Sequence, residues 1–304
     1  MAALVTPGVP GAQSGSSSTH NSASGAAAPD KRPSFYTQLT RGVIRLEYEE
    51  LTRTFLGKKQ WVSRTAGTGF FVLTDRGVFL VTARHVVDAP YAVRARVPTL
   101  RRADGATEVV ELRVPREAWV FHPQGRRELS AGKTVAAVDV AVAPVPLPAG
   151  HWVKTLGYCP EPCTGSIVDQ FAARDPEPPK MVLVFGFPLD LGFELAEQRP
   201  MARSGIVSLV AGDYFLEREG AYVDPRAVLI DAPIYPGNSG SPVFSNPETS
   251  GRFELLGLIT AANASFDYAV AAPRSRVAET LEAAFAVAPR ARPSWHRLVA
   301  SGDS

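Results

Sequence analysis

The sequence predicts an all-β chain, a sandwich or barrel of many short strands, with one helix at its end. Three observations predict it. Between residues 34 and 273, short runs rich in β-branched and apolar residues recur with turn residues nearby. Two of these runs, 69–73 and 78–82, flank Thr74-Asp75-Arg76-Gly77. An Asp-x-Gly turn between β-rich segments signals a hairpin. No long segment repeats apolar residues with a helical period until Val277, Leu281, Ala284 and Phe285, which fall on one helical face.

The elements follow in order. Residues 1–33 are mostly Ser, Gly, Ala and Pro without an aromatic residue. Such a segment buries too little apolar surface to offset its ordering entropy, so a disordered tail is expected, with a cleaved leader as the alternative. Further strands are predicted at 43–48, 109–114, 137–144, 181–185, 205–210, 227–230, 242–244 and 253–259. The stretch 146–180 is rich in Pro, Gly and charge and marks a boundary between two halves, 34–155 and 156–275. A helix is expected at 276–288, with Ser275 as its N-cap and Pro289 after it, followed by a tail over 289–304.

Composition removes several function classes. The chain has 304 residues, long enough for a sizeable core, and its 32 basic and 30 acidic residues leave a charge of +2. No nucleic-acid partner is expected from that balance. No apolar run reaches 18 residues, and the N-terminus has neither a basic start nor a signal-like apolar run, so no membrane partner and a cytoplasmic location are expected. Cys159 and Cys163 cannot build a disulfide framework or a four-ligand zinc site. Free thiols, a local disulfide or a redox clip remain the readings for that pair. No metal or other cofactor is expected. Arg94, Arg96, Arg101 and Arg102 read as a basic, solvated loop, with a site for an anionic partner as the alternative.

The residues with chemical potential begin with Pro236-Gly237-Asn238-Ser239-Gly240-Ser241-Pro242. Such a stretch is either a simple turn or a nucleophile loop. Gly237 can adopt a φ that other residues avoid, and the N–H groups of Gly237 and Ser239 would suit a developing oxyanion. A serine nucleophile needs a base. Of the five histidines, His20 lies in the tail, His296 lies beyond the helix, and His122 and His151 read as loop positions. His85 follows the strand that ends at Ala83. The base in turn needs a carboxylate to fix its tautomer. Asp139, inside the apolar run 136–142, either faces solvent or has a specific partner, because an unpartnered carboxylate is costly to bury. The chain order His85, Asp139, Ser239 differs from the α/β-hydrolase and subtilisin orders and matches the chymotrypsin order.

These residues carry a resemblance. Gly67-Thr68-Gly69-Phe70-Phe71, Thr82-Ala83-Arg84-His85-Val86-Val87, Asp139-Val140-Ala141-Val142 and Phe185-Gly186-Phe187-Pro188 are similar to motifs of trypsin-like, chymotrypsin-fold serine peptidases. So are Ser204-Gly205-Ile206-Val207-Ser208, Ile230-Asp231-Ala232-Pro233-Ile234 leading into Pro236-Gly237-Asn238-Ser239-Gly240, Leu256-Gly257-Leu258-Ile259 and Ala271-Ala272-Pro273. Within that family the sequence most resembles the protease domain of the HtrA/Deg type, over about residues 43–285. The resemblance implies two antiparallel six-stranded β-barrels with the site in the cleft between them. His85 and Asp139 would come from the first barrel. Ser239 and the oxyanion donors Gly237 and Ser239 would come from the second. It implies a serine endopeptidase acting on protein or peptide substrates through an acyl-enzyme, with a specificity pocket bordered by Pro233, Ile234, Tyr235, Thr260, Ala261 and Ala262. An apolar preference before the cut is expected, because none of these six is charged. Ser241 and Arg84 depart from the family's common residues. No Ile-Val-Gly-Gly activation sequence is present and Asn238 replaces an aspartate, so no trypsinogen-type switch is expected. The 31 residues after Pro273 are too few for a PDZ domain. A catalytically silent binding scaffold and an esterase are the competing functions. The oligomeric state is not encoded in any motif.

Overall fold

The computed structural model describes residues 40–287 except 41, 54–56, 89–91, 102–106, 125–126, 129–133, 136–137, 148–149, 154, 158–170, 189–198, 212–223, 247–252 and 264–266. The two expected tails, Cys159, Cys163, His20 and His296 lie outside the described residues.

The predicted hairpin organises the N-terminal half. Strand β2 (Lys59–Thr74) pairs with β3 (Gly77–Thr82) from Gly69 opposite Thr82 to Thr74 opposite Gly77. The turn is closed by Thr74, whose hydroxyl accepts the Arg76 N–H at 3.1 Å and donates to the Gly77 carbonyl at 3.1 Å. On its other edge β2 pairs along its length with β1 (Val43–Arg53), longer than the predicted 43–48. Strands β4 (Val93–Arg101), β5 (Thr107–Val114), β6 (Val120–Phe121), β9 (Ala141–Pro144), β10 (His151–Trp152) and β11 (Leu156–Gly157) complete a nine-stranded sheet. Its order is β10-β4-β1-β2-β3-β9-β6, with β5 on β4 and β11 parallel to β2. This half thus carries more strands than the six expected, and one of its pairings is parallel. Strands β7 (Arg127–Glu128) and β8 (Thr134–Val135) form a separate ribbon.

The C-terminal half is the expected closed barrel. Strands β12 (Lys180–Gly186), β13 (Met201–Val210), β14 (Val228–Asp231), β15 (Pro242–Ser245), β16 (Leu255–Asn263) and β17 (Tyr268–Pro273) pair antiparallel in the order β12-β13-β14-β17-β16-β15, and β15 returns to β12. Closure leaves no unpaired edge. Side-chain alternation along β12 divides the packing. Val182 and Val184 join Val207, Ile230, Val243 and Ile259 in the barrel's own core. Phe185 joins the larger core, where Phe244, Leu255 and Leu258 of the barrel meet Phe71, Phe79, Val81 and Val142 of the sheet. The larger core therefore runs across both halves, beside the barrel's own.

Four sequence expectations need correction. The run 137–144 is a strand only from Ala141, so Asp139 lies before β9 in irregular backbone. Arg94, Arg96 and Arg101 lie on β4, not in a loop, and the first two face glutamates of β1. Val93, Ala95 and Val97 are buried, the alternation of a half-buried strand. Glu47, itself 1% exposed, is held by Arg45 and by the Ser63 hydroxyl at 2.7 Å, which meets the requirement that a buried carboxylate be partnered. His151 sits on β10 and bonds Glu108 at 3.2 Å. The terminal helix α2 (Arg274–Val287) begins one residue before Ser275, so Ser275 is not its N-cap. Asp175 takes that role, accepting the Ser275 N–H at 3.0 Å and its hydroxyl at 2.6 Å. The predicted apolar face, Val277, Leu281, Ala284 and Phe285, is buried in the shared core.

Candidate active site

Helix α1 (Arg84–Val87) is a single turn directly after β3. Val86 and Val87 are buried, and Arg84 is turned inward, its guanidinium 4.4 Å over the Phe121 ring and bonded to Asp88 at 3.1 Å. One turn with three inward residues leaves His85 facing out, and its side chain is 49% exposed. Asp139, flanked by the buried Val138 and Val140, makes two bonds to this one residue. Oδ2 accepts from the imidazole Nδ1 at 2.6 Å, and Oδ1 accepts the His85 backbone N–H at 2.9 Å. Placing the ring proton on Nδ1 leaves a lone pair on Nε2. Burial works against the charged imidazole, but the hydrogen bond and the charge of Asp139 outweigh it, and the His85 pKa stands above its ordinary 6.5.

The loop before β15 carries Ser239. Gly237 has φ +96°, the conformation anticipated for it, and Gly240 has φ +85°. Most N–H groups of this stretch are committed. Asn238 donates to the Tyr235 carbonyl at 3.1 Å, Gly240 to Ile259 at 2.7 Å and Ser241 to Asn238 at 2.9 Å. Among the described residues, the N–H groups of Gly237 and Ser239 have no such partner. Two alternate amides are thus left available to an acceptor.

Close glycine contacts bring the serine loop against the histidine helix. A Cβ at Gly67 would lie 2.7 Å from Val86 Cγ2 and 2.8 Å from the Ser239 carbonyl, so only glycine lets the two elements meet there. A Cβ at Gly240 would meet the Thr68 carbonyl, the Thr82 hydroxyl and the Ala83 N–H at the start of α1. The sequence contained both glycines without indicating this role, because the clash is with residues far away in the chain. The Ser239 carbonyl also accepts the Thr68 N–H at 2.8 Å.

The six expected pocket residues fall into two places. Pro233, Ile234 and Tyr235 lead into the serine loop, with Ile234 buried and Pro233 exposed. Thr260, Ala261 and Ala262 lie on β16, which runs beside that loop through the bonds of Ile259 to Gly240 and Ser241. The Thr260 hydroxyl is used internally, donating to the Val270 carbonyl at 3.2 Å. Sequence reasoning missed Arg203 on β13, whose guanidinium lies 4.8 Å over the Tyr235 ring. His122, expected in a loop, follows β6 but is buried, bonded to Glu279 at 2.8 Å. Among the described residues no group of three or more His, Cys, Asp or Glu is placed to hold a metal, and no helix is long and apolar enough to cross a membrane.

A family model described as a trypsin-like peptidase domain matches residues 67–253. Among solved structures, the Rv3671c protease of M. tuberculosis H37Rv, as a serine-to-alanine mutant in its inactive form, shares 18% identity with a TM-score of 0.46, over 83% of this chain and 91% of that one. Its active form shares 18% with a TM-score of 0.44, over 81% and 82%. The HtrA-type protease AlgW with a decapeptide shares 14% with a TM-score of 0.48, over 82% of this chain and 65% of that one. No curated protein matched the sequence.

Proposed function

The chain belongs to the trypsin-like peptidase domain family and is a serine-type peptidase, and from that premise we propose that it is an endopeptidase working through His85, Asp139 and Ser239. In this reading the Ser239 hydroxyl attacks the scissile carbonyl while His85 Nε2 takes its proton. Negative charge then develops on the carbonyl oxygen, where the N–H groups of Gly237 and Ser239 receive it. Collapse of the tetrahedral intermediate breaks the C–N bond, and His85 returns the proton to the departing amine. Water, deprotonated by the same imidazole, cleaves the acyl-enzyme and restores the serine. Asp139 holds the ring in the productive tautomer and stabilises the imidazolium.

The observation that carries the reading is the pair of hydrogen bonds that Asp139 accepts from His85, one from its ring and one from its main chain. A carboxylate so committed fixes the imidazole's position and its tautomer together. A binding surface alone has no need of that arrangement. The uncharged pocket residues, with Arg203 stacked on Tyr235, favour an apolar or acidic residue before the cut over a basic one.

Fluorophosphonate labelling tests the proposal. The folded wild type should be labelled, and Ser239→Ala should abolish both labelling and peptide cleavage. A folded wild type that resists the probe would identify a silent scaffold. Ester hydrolysis without peptide cleavage would identify an esterase. Exclusive cleavage after Lys or Arg would overturn the pocket reading.

A further inference from the structure

Thr68 takes no part in the chemistry just described, yet more bonds of the serine loop run to it than to any triad member. It lies on β2 between Gly67 and Gly69 and is fully buried. Its hydroxyl donates to the Gly237 carbonyl at 2.8 Å and accepts the Phe187 N–H at 3.1 Å. Its backbone N–H donates to the Ser239 carbonyl at 2.8 Å, and its carbonyl accepts the Thr82 hydroxyl at 2.7 Å. We infer that Thr68 is a positioning residue, and that its hydroxyl holds the Gly237–Asn238 peptide so that the oxyanion donors keep their pose. The inference rests on the triad reading above.

Each peptide unit has a C=O at one end and an N–H at the other, and fixing both fixes the plane. The 239–240 unit is held through the Ser239 carbonyl by Thr68 and through the Gly240 N–H by Ile259. The 237–238 unit is held through the Asn238 N–H by Tyr235 and through the Gly237 carbonyl by the Thr68 hydroxyl. Thr68 thus clamps both units, one with its main chain and one with its side chain. Gly237 is the residue most in need of a clamp, because without a Cβ it rotates at little steric cost. The Phe187 N–H occupies a lone pair of the hydroxyl, so the hydroxyl hydrogen is directed to Gly237 and not shared with a second acceptor. A catalytic oxyanion site depends on donors already in place before charge develops. The clamped 237–238 unit lies between the unit that carries the Gly237 N–H and the unit that carries the Ser239 N–H, so letting it turn loosens both donors and weakens the transition state more than the ground state.

The experiment compares Thr68→Val, which keeps the shape and removes the hydroxyl, with Thr68→Ser, which keeps the hydroxyl. Thr68→Val should lower kcat by roughly ten- to a hundredfold with KM within about twofold, less than the loss of a whole donor. Thr68→Ser should recover kcat to within about threefold of wild type. A peptide aldehyde, whose serine adduct places an oxygen where the oxyanion forms, should lose affinity for Thr68→Val by a factor similar to the loss in kcat/KM. If Thr68→Val does not fold, Thr68→Ala carries the same comparison. A folded Thr68→Val with wild-type kcat, an effect confined to KM, or a Thr68→Ser as impaired as Thr68→Val would each overturn the inference. The triad reading fails separately, by a folded wild type that resists fluorophosphonate.

Discussion

At Asp139 a single carboxylate serves both the ring and the main chain of His85, and this sets what a conservative change there does. In Asp139→Asn the amide oxygen can still accept one N–H, but the other position becomes a donor. If the oxygen stays on the His85 main chain, the amide NH2 faces Nδ1 and forces the proton onto Nε2, which the proposed mechanism needs empty. We expect kcat to fall by about ten-thousandfold with the fold intact, measured by peptide cleavage and circular dichroism. The same pair fixes the acid limb of the pH profile. The His85 pKa is raised above 6.5, and in the proposed triad the neutral ring is the active form, so kcat/KM should fall as pH drops through a midpoint above 6.5. Its stability contribution has the opposite sense: it is fully present below 6.5 and is lost as pH rises through the folded value. A midpoint at or below 6.5 would contradict the pairing. The serine loop, the elimination of the other histidines, the carboxylate in an apolar run and the chain order together made His85, Asp139 and Ser239 legible as candidates. The exit of Asp139 from the strand was not, because 137–142 is β-rich throughout and the ladder starts only where β3 supplies partners, at Ala141 opposite Thr82.

For elements, legibility followed local pattern and failed where a partner lay far off in the chain. The face of α2 could be read from Val277, Leu281, Ala284 and Phe285, since helical spacing is a local property. Its cap could not. The residue before the helix is Pro273, which has no side-chain acceptor, and the oxygen comes from Asp175, a hundred residues earlier. A carboxylate there satisfies an orphan N–H and meets the positive end of the helix dipole. Asp175→Ala should therefore lower stability by about 0.5–2 kcal/mol in urea unfolding. An unchanged midpoint would mean that water replaces the cap at no cost. Strand β4 is the converse case. The alternation of Val93, Ala95 and Val97 with Arg94 and Arg96 is a local pattern, but a run of arginines suits a solvated loop as well as the charged face of a strand.

Across the whole molecule, α2 joins the two halves by a polar cluster beside its apolar face. Arg276 pairs with Asp224, which precedes β14, through two bonds of 2.6 Å, both residues being buried. Arg276 also bonds Glu279 at 3.0 Å and Gln124 at 3.2 Å, and Arg226 bonds Glu279 at 2.7 Å. From the sheet side, His122 Nε2 donates to Glu279 at 2.8 Å while its Nδ1 accepts the Gln124 N–H at 3.0 Å. That is a neutral ring satisfied on both nitrogens, and protonation would set a second N–H against the Gln124 amide. Burial is the main cause that lowers the His122 pKa below 6.5; the Glu279 bond opposes it and Arg276 adds to it. For Glu279 burial acts upward, but hydrogen bonds from His122, Arg226 and Arg276 prevail and bring its pKa to about 2 from 4.5. Both shifts have the same consequence. Each group binds fewer protons folded than unfolded, so stability falls as pH falls. The His122 part begins near 6.5, and the Glu279 part runs between 4.5 and about 2. Urea unfolding at a series of pH values should show this two-stage loss. In Glu279→Gln the molecule should be less stable at neutral pH, because Arg226 loses its counter-charge and Arg276 keeps only that of Asp224, yet its stability should fall less steeply than that of wild type below 4.5. Parallel pH curves for variant and wild type would show that the cluster does not couple the halves through charge.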